Sequence, residues 1–519
     1  MSRSPGPARV SEQVDVVVFD VGDTLVHAAP PATAVEALQA SLRPDVLADL
    51  TALRDTGLRL AAVTDTAVMT EHEVRSLLAP VGLEELLAVV VTSVDVGVAK
   101  PDPTSLRTAL SRLEVAPERA LFVGDRMVDR DAAAAAGTHF AFVRDTIAET
   151  VERWSTAPSR AFDRTLARWQ AERAHRADSS RRAAEAARDR LDSLAKPPGS
   201  LGRLEDLAVV LAGIAGDIRP PIPTPVAVGV FAGDHGVHVE GVTAWPQEIT
   251  SAMTEAMAAS TASINALSRS VGASVTVVDV GVAGPPSTSP HVVASRVRSG
   301  TRNLAVEPAM TLAECVDALD IGIGTAEGAI ADGARCLVTG EMGIANTTAA
   351  TALICAFTGR SPGELTGRGA GADDATLLRK REVIERALGR PHSSGHPLEV
   401  LASLGGLEIA AMTGFVLAGA VHRIPVVIDG VIADAALLCA EALAPGVASG
   451  VIAGHRSTEP AATAALDHLG LVPLLDLGMR LGEGTGAVLA TPLLDAASRL
   501  LVEVATIAEL AGDGGQGPG

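Results

Sequence analysis

The chain has 519 residues, more than a single hydrophobic core of about 250 to 300 residues accommodates, so we expect two or more domains. Asp and Glu number 62 against 42 Lys and Arg, and the net charge of -20 excludes a basic surface for nucleic acid. Aromatic residues make up only 2%, which also argues against stacking platforms for single-stranded nucleic acid. These totals favour an enzyme that acts on a small molecule.

The targeting signals that a sequence can carry are not evident here. The first residues lack the apolar core of a signal peptide, and no uninterrupted apolar run reaches the roughly 18 residues needed to cross a bilayer. We therefore expect a soluble, cytoplasmic protein. The four cysteines are widely spaced in apolar surroundings and are predicted to be buried thiols: Cys315, Cys336, Cys355 and Cys439. Residues 1–13 and 512–519 are rich in Gly, Pro and polar residues and are predicted to be disordered.

The order of apolar segments predicts two α/β domains. Between residues 14 and 144, the strand-like segments VDVVVFD, LRLAAVTD, LAVVVTS and ALFVGD alternate with amphipathic stretches, a pattern typical of a parallel sheet. Residues 145–188 are rich in Arg, Glu and Ala and are predicted to form a helical connector. A second series of strand-like segments occupies residues 189–511 and includes PVAVGVFAGDHG, ASVTVVDVG, ARCLVTGEMG, IPVVIDG and VPLLDLGMRLGEG. Each of these runs into a glycine or an acid, and ligand sites gather at such strand ends.

Several chemically capable residues in the first domain follow strand-like segments. Asp20 ends the run VVVFD, and Thr64, Lys100, Asp125 and Asp129 come after later strands. Together these residues resemble the four motifs of the haloacid dehalogenase-like (HAD) hydrolase superfamily. The resemblance implies that Asp20 is the nucleophile, that Thr64 and Lys100 hold the phosphoryl group, and that the later acids complete a Mg²⁺ site. We expect Asp20 and Asp125 to bind the ion.

One position departs from that pattern. Phosphatases of this superfamily carry a second Asp two residues after the nucleophile, where this chain has Gly22. Asp23 lies one residue later, and in an extended segment its side chain would point to the opposite face. The spacing between the motifs also leaves little room for a cap domain. A working phosphatase and a folded domain without catalysis remain equal alternatives.

Two glycine-rich segments of the second domain offer backbone N–H groups to an anion. LVTGEMGIANTT passes from a strand through a glycine loop into an apolar helix that is predicted to begin around Asn346 to Thr348. GRGAGADD, residues 367–374, is a second such turn. Taken alone, helix capping explains these residues better than ligand binding. The earlier cluster Asp234, His235, His238 and Glu240 fits no zinc-binding spacing.

The ordered motifs of residues 189–511 resemble one enzyme family, nicotinate-nucleotide:dimethylbenzimidazole phosphoribosyltransferase. The motifs are LDSLAKPPGSLGRLEDLA, FAGDHGV, GTRNLAVEPAMT, GEMGIANTT, GGLEIAA, PVVIDG, HRSTEP and PLLDLGMRLGEGTGA. The resemblance implies a Rossmann-like parallel sheet with a smaller helical domain, usually in a homodimer. It also implies transfer of phosphoribose from nicotinate mononucleotide to 5,6-dimethylbenzimidazole, which yields nicotinate and α-ribazole 5'-phosphate for the cobalamin lower ligand. This chemistry requires no cofactor or metal.

The resemblance assigns roles residue by residue. Glu483 matches the catalytic glutamate that accepts the N–H proton of the attacking base, and Glu341 matches a second acid that either acts directly or anchors its loop. The residues expected to bind substrate are Gly343, Asn346, Thr347, Thr348, Gly367, Gly369, Gly482, Gly484, Asp234, His235 and Thr243.

Three departures from the family pattern concern loop geometry. Ala345 and Ala370 stand where the family commonly has Gly and Thr, and Ser260 with Thr261 replaces a glycine pair. An added side chain matters where φ is positive or a ligand approaches closely, so base preference is affected before reaction type.

Alternatives remain at the level of the whole chain. The first domain either removes the 5'-phosphate from α-ribazole phosphate or serves as a noncatalytic docking or regulatory module. A nucleotide-binding regulator with an inactive transferase fold is the remaining hypothesis.

Overall fold

A computed structural model describes residues 10–27, 38–156, 160–390 and 395–510. The chain divides into two compact units, Met1–Arg160 and Ala161–Gly519. The division falls inside the predicted connector. Most of the predicted disordered ends lie outside the described residues, but Val10–Gln13 forms a short helix, because Val10 is buried in the core of the first unit.

The first unit contains a five-stranded parallel sheet in the order β3-β2-β1-β4-β5. Its strands are β1 Val16–Phe19, β2 Arg59–Thr64, β3 Val89–Thr92, β4 Ala120–Gly124 and β5 His139–Phe142. The first four coincide with the predicted segments. They are buried on both faces, which explains their continuous apolar sequences. The helices are α1 Val10–Gln13, α2 Val46–Asp55, α3 Glu71–Leu78, α4 Ser93–Val96, α5 Thr104–Leu113, α6 Met127–Ala136 and α7 Ile147–Thr156.

The second unit contains a six-stranded parallel sheet in the order β11-β10-β9-β6-β7-β8. Its strands are β6 Val226–Gly233, β7 Ser274–Gly281, β8 Val292–Ala294, β9 Cys336–Met342, β10 Val426–Ile428 and β11 Val451–Ala453. The α/β fold class with parallel sheets, predicted from the sequence, is confirmed in both units.

Helices cover the second sheet and its edges. They are α8 Ala161–Ser193, α9 Arg203–Ala215, α10 Glu248–Ala258, α11 Ser263–Val271, α12 Leu312–Ala331, α13 Asn346–Thr358, α14 Pro362–Leu365, α15 Asp374–Leu388, α16 Pro397–Leu404, α17 Leu407–Val421, α18 Val431–Leu443, α19 Pro460–Leu469, α20 Thr485–Glu503 and α21 Ile507–Leu510. The buried helix α17 packs against α12 at very short range. A Cβ on Gly322 would lie 1.7 Å from the carbonyl oxygen of Ala411, so only glycine permits this approach.

Two further expectations concern apolar sequence. All four cysteines are buried free thiols, as predicted. Within the described residues, helix α20 alone is long and apolar enough to cross a membrane, but 56% of its apolar window is buried inside the protein. That burial is typical of a core helix.

One predicted strand is wrong. VPLLDL, which precedes the glycine turn at Glu483, is an irregular segment with a single parallel bridge between Leu475 and His455. Pro473 has no N–H to donate to a ladder, which disfavours a central strand here. The backbone N–H groups of Leu474 and Leu475 donate to the carbonyls of Ala453, the last residue of β11, and of Gly454 just after it.

Candidate functional site

A cavity of about 430 Å³ opens at the carboxyl ends of strands β9 and β10 in the second unit. It brings together distant parts of the sequence. Seven of the predicted site residues line it: Glu341, Gly343, Asn346, Thr347, Gly369, Gly482 and Glu483. Residues that the sequence did not single out complete the wall, among them Trp245, Asp429, His455, Glu459 and Arg480.

Glu483 is a buried acid in a strained turn. Only 4% of its surface is exposed, and its φ of 66° lies in the left-handed region that disfavours residues with a side chain. One side-chain oxygen accepts a hydrogen bond of 3.4 Å from the backbone N–H of Ile264. Burial, assisted by the nearby Asp429 carboxylate, raises the pKa of Glu483 above its usual 4.5. A raised pKa makes the carboxylate a stronger base.

Glu341 lies beside Glu483 at the end of β9. It accepts hydrogen bonds from the side-chain amide of Asn346 and, at 3.4 Å, from the backbone N–H of Glu483. Burial and then the charges of Asp429 and Glu408 raise the pKa of Glu341 to about 8. At neutral pH this group is therefore mostly protonated and can donate a hydrogen bond.

Glycine at 482 is required by Glu341. Its φ is 86°, and a Cβ at this position would lie 2.3 Å from Oε1 of Glu341. The bare turn thus allows the two acids to approach each other.

Asp429 holds the Glu483 turn against strand β10. Its carboxylate accepts backbone N–H bonds from Gly484 at 3.1 Å, Gly486 at 2.7 Å and Ala487 at 3.0 Å. These donors belong to the first turn of α20, where an anion is favoured. The motif PVVIDG by itself predicts no role for Asp429, although an acid directly after an apolar strand was the available signal.

The loop at 343–348 leads into helix α13, which begins at Asn346 as predicted. Asn346 does not cap the helix with its side chain, because its amide bonds Glu341 instead. Ala345 has a φ of 75° and Ser260 a φ of 60°, so both occupy the left-handed conformation that favours glycine.

A buried cation lies behind this loop. Lys380, on α15, donates from Nζ to the hydroxyl of Thr347 at 2.7 Å. Burial lowers the pKa of Lys380 to about 8, although Glu459 opposes the shift. Glu459 also accepts the backbone N–H of Gly369 at 2.8 Å, which joins the second glycine turn to the cavity. The run LLRKREV gave no signal that one of its charged residues is buried.

Six predicted substrate-binding residues are not among those that line the cavity: Thr348, Gly367, Gly484, Asp234, His235 and Thr243. Asp234 bonds Thr250 at 2.6 Å and the backbone of Ala283 at 2.7 Å, while His235 bonds Glu408 at 2.7 Å in complete burial. These contacts hold strand ends and loops together. The Thr243 hydroxyl accepts the backbone N–H of Trp245 at 3.3 Å.

The first unit has its own cluster of acids at the carboxyl ends of its strands. Asp20, Asp125 and Asp129 each place an oxygen within 4.8 Å of the others. The ammonium of Lys100 forms an ion pair with Asp20 and another of 2.6 Å with Asp129. Thr64 is buried at the end of β2. Three carboxylates in this arrangement fit Mg²⁺, which prefers hard oxygen ligands.

Burial dominates the electrostatics of this cluster. It raises the pKa of Asp20 to about 6 despite Lys100, and the pKa of Asp125 to about 7 with help from Asp20 and Asp129. For Lys100, the two neighbouring carboxylates outweigh burial and raise the pKa.

The two units match different families of known proteins. Residues 177–511 match the family model described as phosphoribosyltransferase, and residues 32–143 match that of haloacid dehalogenase-like hydrolase. The second match begins after Asp20.

Individual relatives match the same C-terminal region. The chain is 52% identical over 335 residues to the nicotinate-nucleotide--dimethylbenzimidazole phosphoribosyltransferase of Salinispora tropica, covering 62% of this chain and 92% of the relative. It is 52% identical over 328 residues to the enzyme of that name from Chloroflexus aggregans, covering 63% and 93%. Among solved structures, that of CobT from Thermus thermophilus matches with a TM-score of 0.62 and 46% identity over 64% of this chain and 98% of that chain.

Proposed function

The chain belongs to the phosphoribosyltransferase family, and we propose that its second unit transfers phosphoribose from nicotinate mononucleotide to 5,6-dimethylbenzimidazole. The products are nicotinate and α-ribazole 5'-phosphate, which supplies the lower ligand of cobalamin. The observation that carries this proposal is the position of Glu483, a buried carboxylate of raised pKa in the wall of a cavity large enough for a flat base.

Glu483 acts as the general base. A ring nitrogen of the benzimidazole attacks the anomeric carbon of ribose, the bond from that carbon to the nicotinate nitrogen breaks, and its electron pair neutralises the cationic ring. The other benzimidazole nitrogen loses its proton to Glu483. Attack on the face opposite the leaving group converts the β to the α configuration. Since nicotinate leaves readily, alignment of the partners supplies much of the remaining acceleration.

Glu341 has a different role in this proposal. With a pKa of about 8 it is mostly neutral when Glu483 is ionised, so it does not serve as the base. We assign it to holding the Glu483 turn and the sugar, and the Gly343–Thr348 loop to holding the phosphate, with the Gly369 turn and Lys380 close behind.

Family membership also supports several finer proposals. The transferase needs no cofactor, since the proton and the leaving group are handled by side chains. We propose a cytoplasmic homodimer, which size-exclusion chromatography with light scattering would check.

For the first unit we propose phosphoryl transfer at Asp20. The cluster of Asp20, Asp125 and Asp129 around Lys100 supports this role, and Asp20 and Asp125 would hold Mg²⁺, which neutralises phosphate charge when bound.

The decisive experiment for the second unit is product analysis. The whole chain, incubated with nicotinate mononucleotide and 5,6-dimethylbenzimidazole, is expected to yield α-ribazole phosphate by mass spectrometry. A mixture of candidate bases in the same assay identifies the preferred one. Absence of any α-linked product would contradict the proposal.

A further inference from the structure

The loop after Asp20 has no side chain where a general acid would stand. The space beside Gly22 is open, because a Cβ at this position would meet no atom within 4 Å. Its backbone lies outside the left-handed region, so a residue with a side chain would fit there. The fold would therefore accommodate an acid at position 22, but the sequence has glycine there.

Asp23 does not replace the missing group. Its φ is 54°, a left-handed conformation, and its side chain is exposed to solvent while Asp20 is buried. The backbone there is fixed by a bond of 2.7 Å from Asp23 N–H to the carbonyl of Val26 and one of 2.9 Å from Arg43 to the carbonyl of Asp23. Asp23 thus occupies the tight bend, from which its charge acts on Asp125 while its side chain stays exposed.

The other carboxylates near Asp20 are already engaged. Asp65 accepts the backbone N–H of Lys100 at 3.1 Å, Asp125 accepts the hydroxyl of Thr24 at 3.3 Å, and Asp129 pairs with Lys100. Among the described residues of this cluster, each carboxylate other than the nucleophile therefore already has a hydrogen bond or an ion pair.

We propose that the first unit accepts phosphoryl groups only from phosphates whose leaving group departs as a stable anion, such as acyl and aryl phosphates. This inference rests on the proposed phosphoryl transfer at Asp20. Alkyl phosphates, including the 5'-phosphate of a ribose, release a strongly basic alkoxide and need the acid that Gly22 does not supply. The unit is therefore not the phosphatase for α-ribazole phosphate.

The step balances without a donor from the protein. A carboxylate oxygen of Asp20 forms a bond to phosphorus, and the bond between phosphorus and the leaving oxygen breaks with its electron pair on that oxygen. The anion takes its proton from bulk water. Hydrolysis of the aspartyl phosphate then releases inorganic phosphate and restores Asp20, and it is slow because no general base assists the water.

The test compares leaving groups in the whole chain with Mg²⁺. We expect phosphate release from a series of aryl phosphates to depend steeply on leaving-group pKa, and turnover of glycerol 3-phosphate to be undetectable. Gly22→Asp should raise alkyl phosphate turnover by about 100-fold or more and flatten the dependence, since general acids contribute about 10²- to 10⁴-fold. Asp23→Asn is the matched control and should change neither.

A second measurement distinguishes this inference from the function on which it rests. Intact-mass analysis after incubation with acetyl phosphate should show one added phosphoryl group, absent in Asp20→Asn, with thermal unfolding confirming that the variant folds. If alkyl phosphates phosphorylate the wild type as fast as acetyl phosphate, or Asp23→Asn abolishes their turnover, the leaving-group inference fails while phosphoryl transfer stands. If no phosphate donor modifies the protein, phosphoryl transfer itself fails and a docking module replaces it.

Discussion

The carboxylates of Asp20 and Glu483 lie at similar places in their sheets but have different charged neighbours. Each lies at the carboxyl edge of a parallel sheet, in or beside a glycine-containing bend, and each is buried. Asp20 forms an ion pair with the ammonium of Lys100, whereas the charge that acts most on Glu483 is another acid, Asp429.

The difference shows how one architecture serves two kinds of chemistry. Burial and the charge of Asp129 raise the pKa of Asp20 to about 6, and the opposing charge of Lys100 leaves the carboxylate mostly ionised at neutral pH. Acids beside Glu483 make proton uptake more favourable, which a general base requires. The fold brings the carboxylate to the sheet edge, and its neighbours determine what it does there.

The largest expected effect comes from removing the base. Glu483→Gln keeps the size and the hydrogen bond from Ile264 but cannot take a proton, so kcat should fall by about 100- to 10,000-fold. The rate of α-ribazole phosphate formation at saturating substrates measures this. Glu385→Gln, an exposed substitution on α15, is the control and should have wild-type activity. Full activity in Glu483→Gln would falsify the assignment of the base.

Removing the ammonium group of Lys100 tests whether this cation stabilises the buried acids of the first unit. Lys100→Met leaves Asp20 and Asp129 buried without their partner, and we expect a loss of about 3 to 5 kcal/mol in the stability of the first unit at neutral pH. Hydrogen exchange of peptides from residues 38–143 measures it. Arg112→Met breaks an exposed pair with Glu71 and should cost about 1 kcal/mol or less. Equal losses would show that Lys100 does not hold the cluster.

The close approach of the two acids is tested at the glycine between them. Gly482→Ala forces a methyl into the position of Glu341 Oε1 and should lower kcat on the order of 10- to 100-fold by displacing the turn. Gly470→Ala is a matched control, because its φ is also positive, at 68°, but its Cβ would meet no atom within 4 Å. It should cost about 1 to 2 kcal/mol of stability and leave kcat unchanged. A similar kcat in both variants would contradict the crowding argument.

The smallest effect concerns Glu341 and pH. The folded protein holds this proton up to about pH 8, while the unfolded chain releases it near 4.5, so between these values the native state binds more protons and stability falls as pH rises. Glu341→Gln removes this slope. Urea unfolding across that pH range should show a flatter profile in the variant, and kcat should fall less than in Glu483→Gln. An unchanged profile would mean that Glu341 is ionised in the native state.

Much of the fold was predictable because buried parallel strands have continuous apolar sequences. Segments such as VVVF and CLVTGEM are mainly apolar and buried on both faces, and an acid lies close to the end of each, which located β1, β9 and these acids. VPLLDL has a similar apolar content without being a strand, and its Val472 and Leu477 are exposed. Its proline was the signal against a ladder.

The candidate site was predictable only where its residues stand in motifs. Glu483, Glu341 and the Gly343 loop follow strands or glycines, but Lys380 lies among charged residues on a helix, and nothing local distinguishes it from its exposed neighbours. Asp234 and His235 show the opposite case, and their expected role in substrate binding stays a prediction. They stand in a conspicuous motif, yet the structure uses them to hold buried loops.

The two parallel sheets, the acids at their edges and the missing acid at Gly22 can all be read from the amino-acid order, because backbone periodicity and residue chemistry are local properties. Which acids meet depends on the folded chain. Asp429 is 54 residues from Glu483 in sequence, yet its charge and its bonds to the first turn of α20 position that turn and raise the pKa of the base. Proton affinity depends on burial and on charges brought from distant strands, and those exist only once the chain has folded.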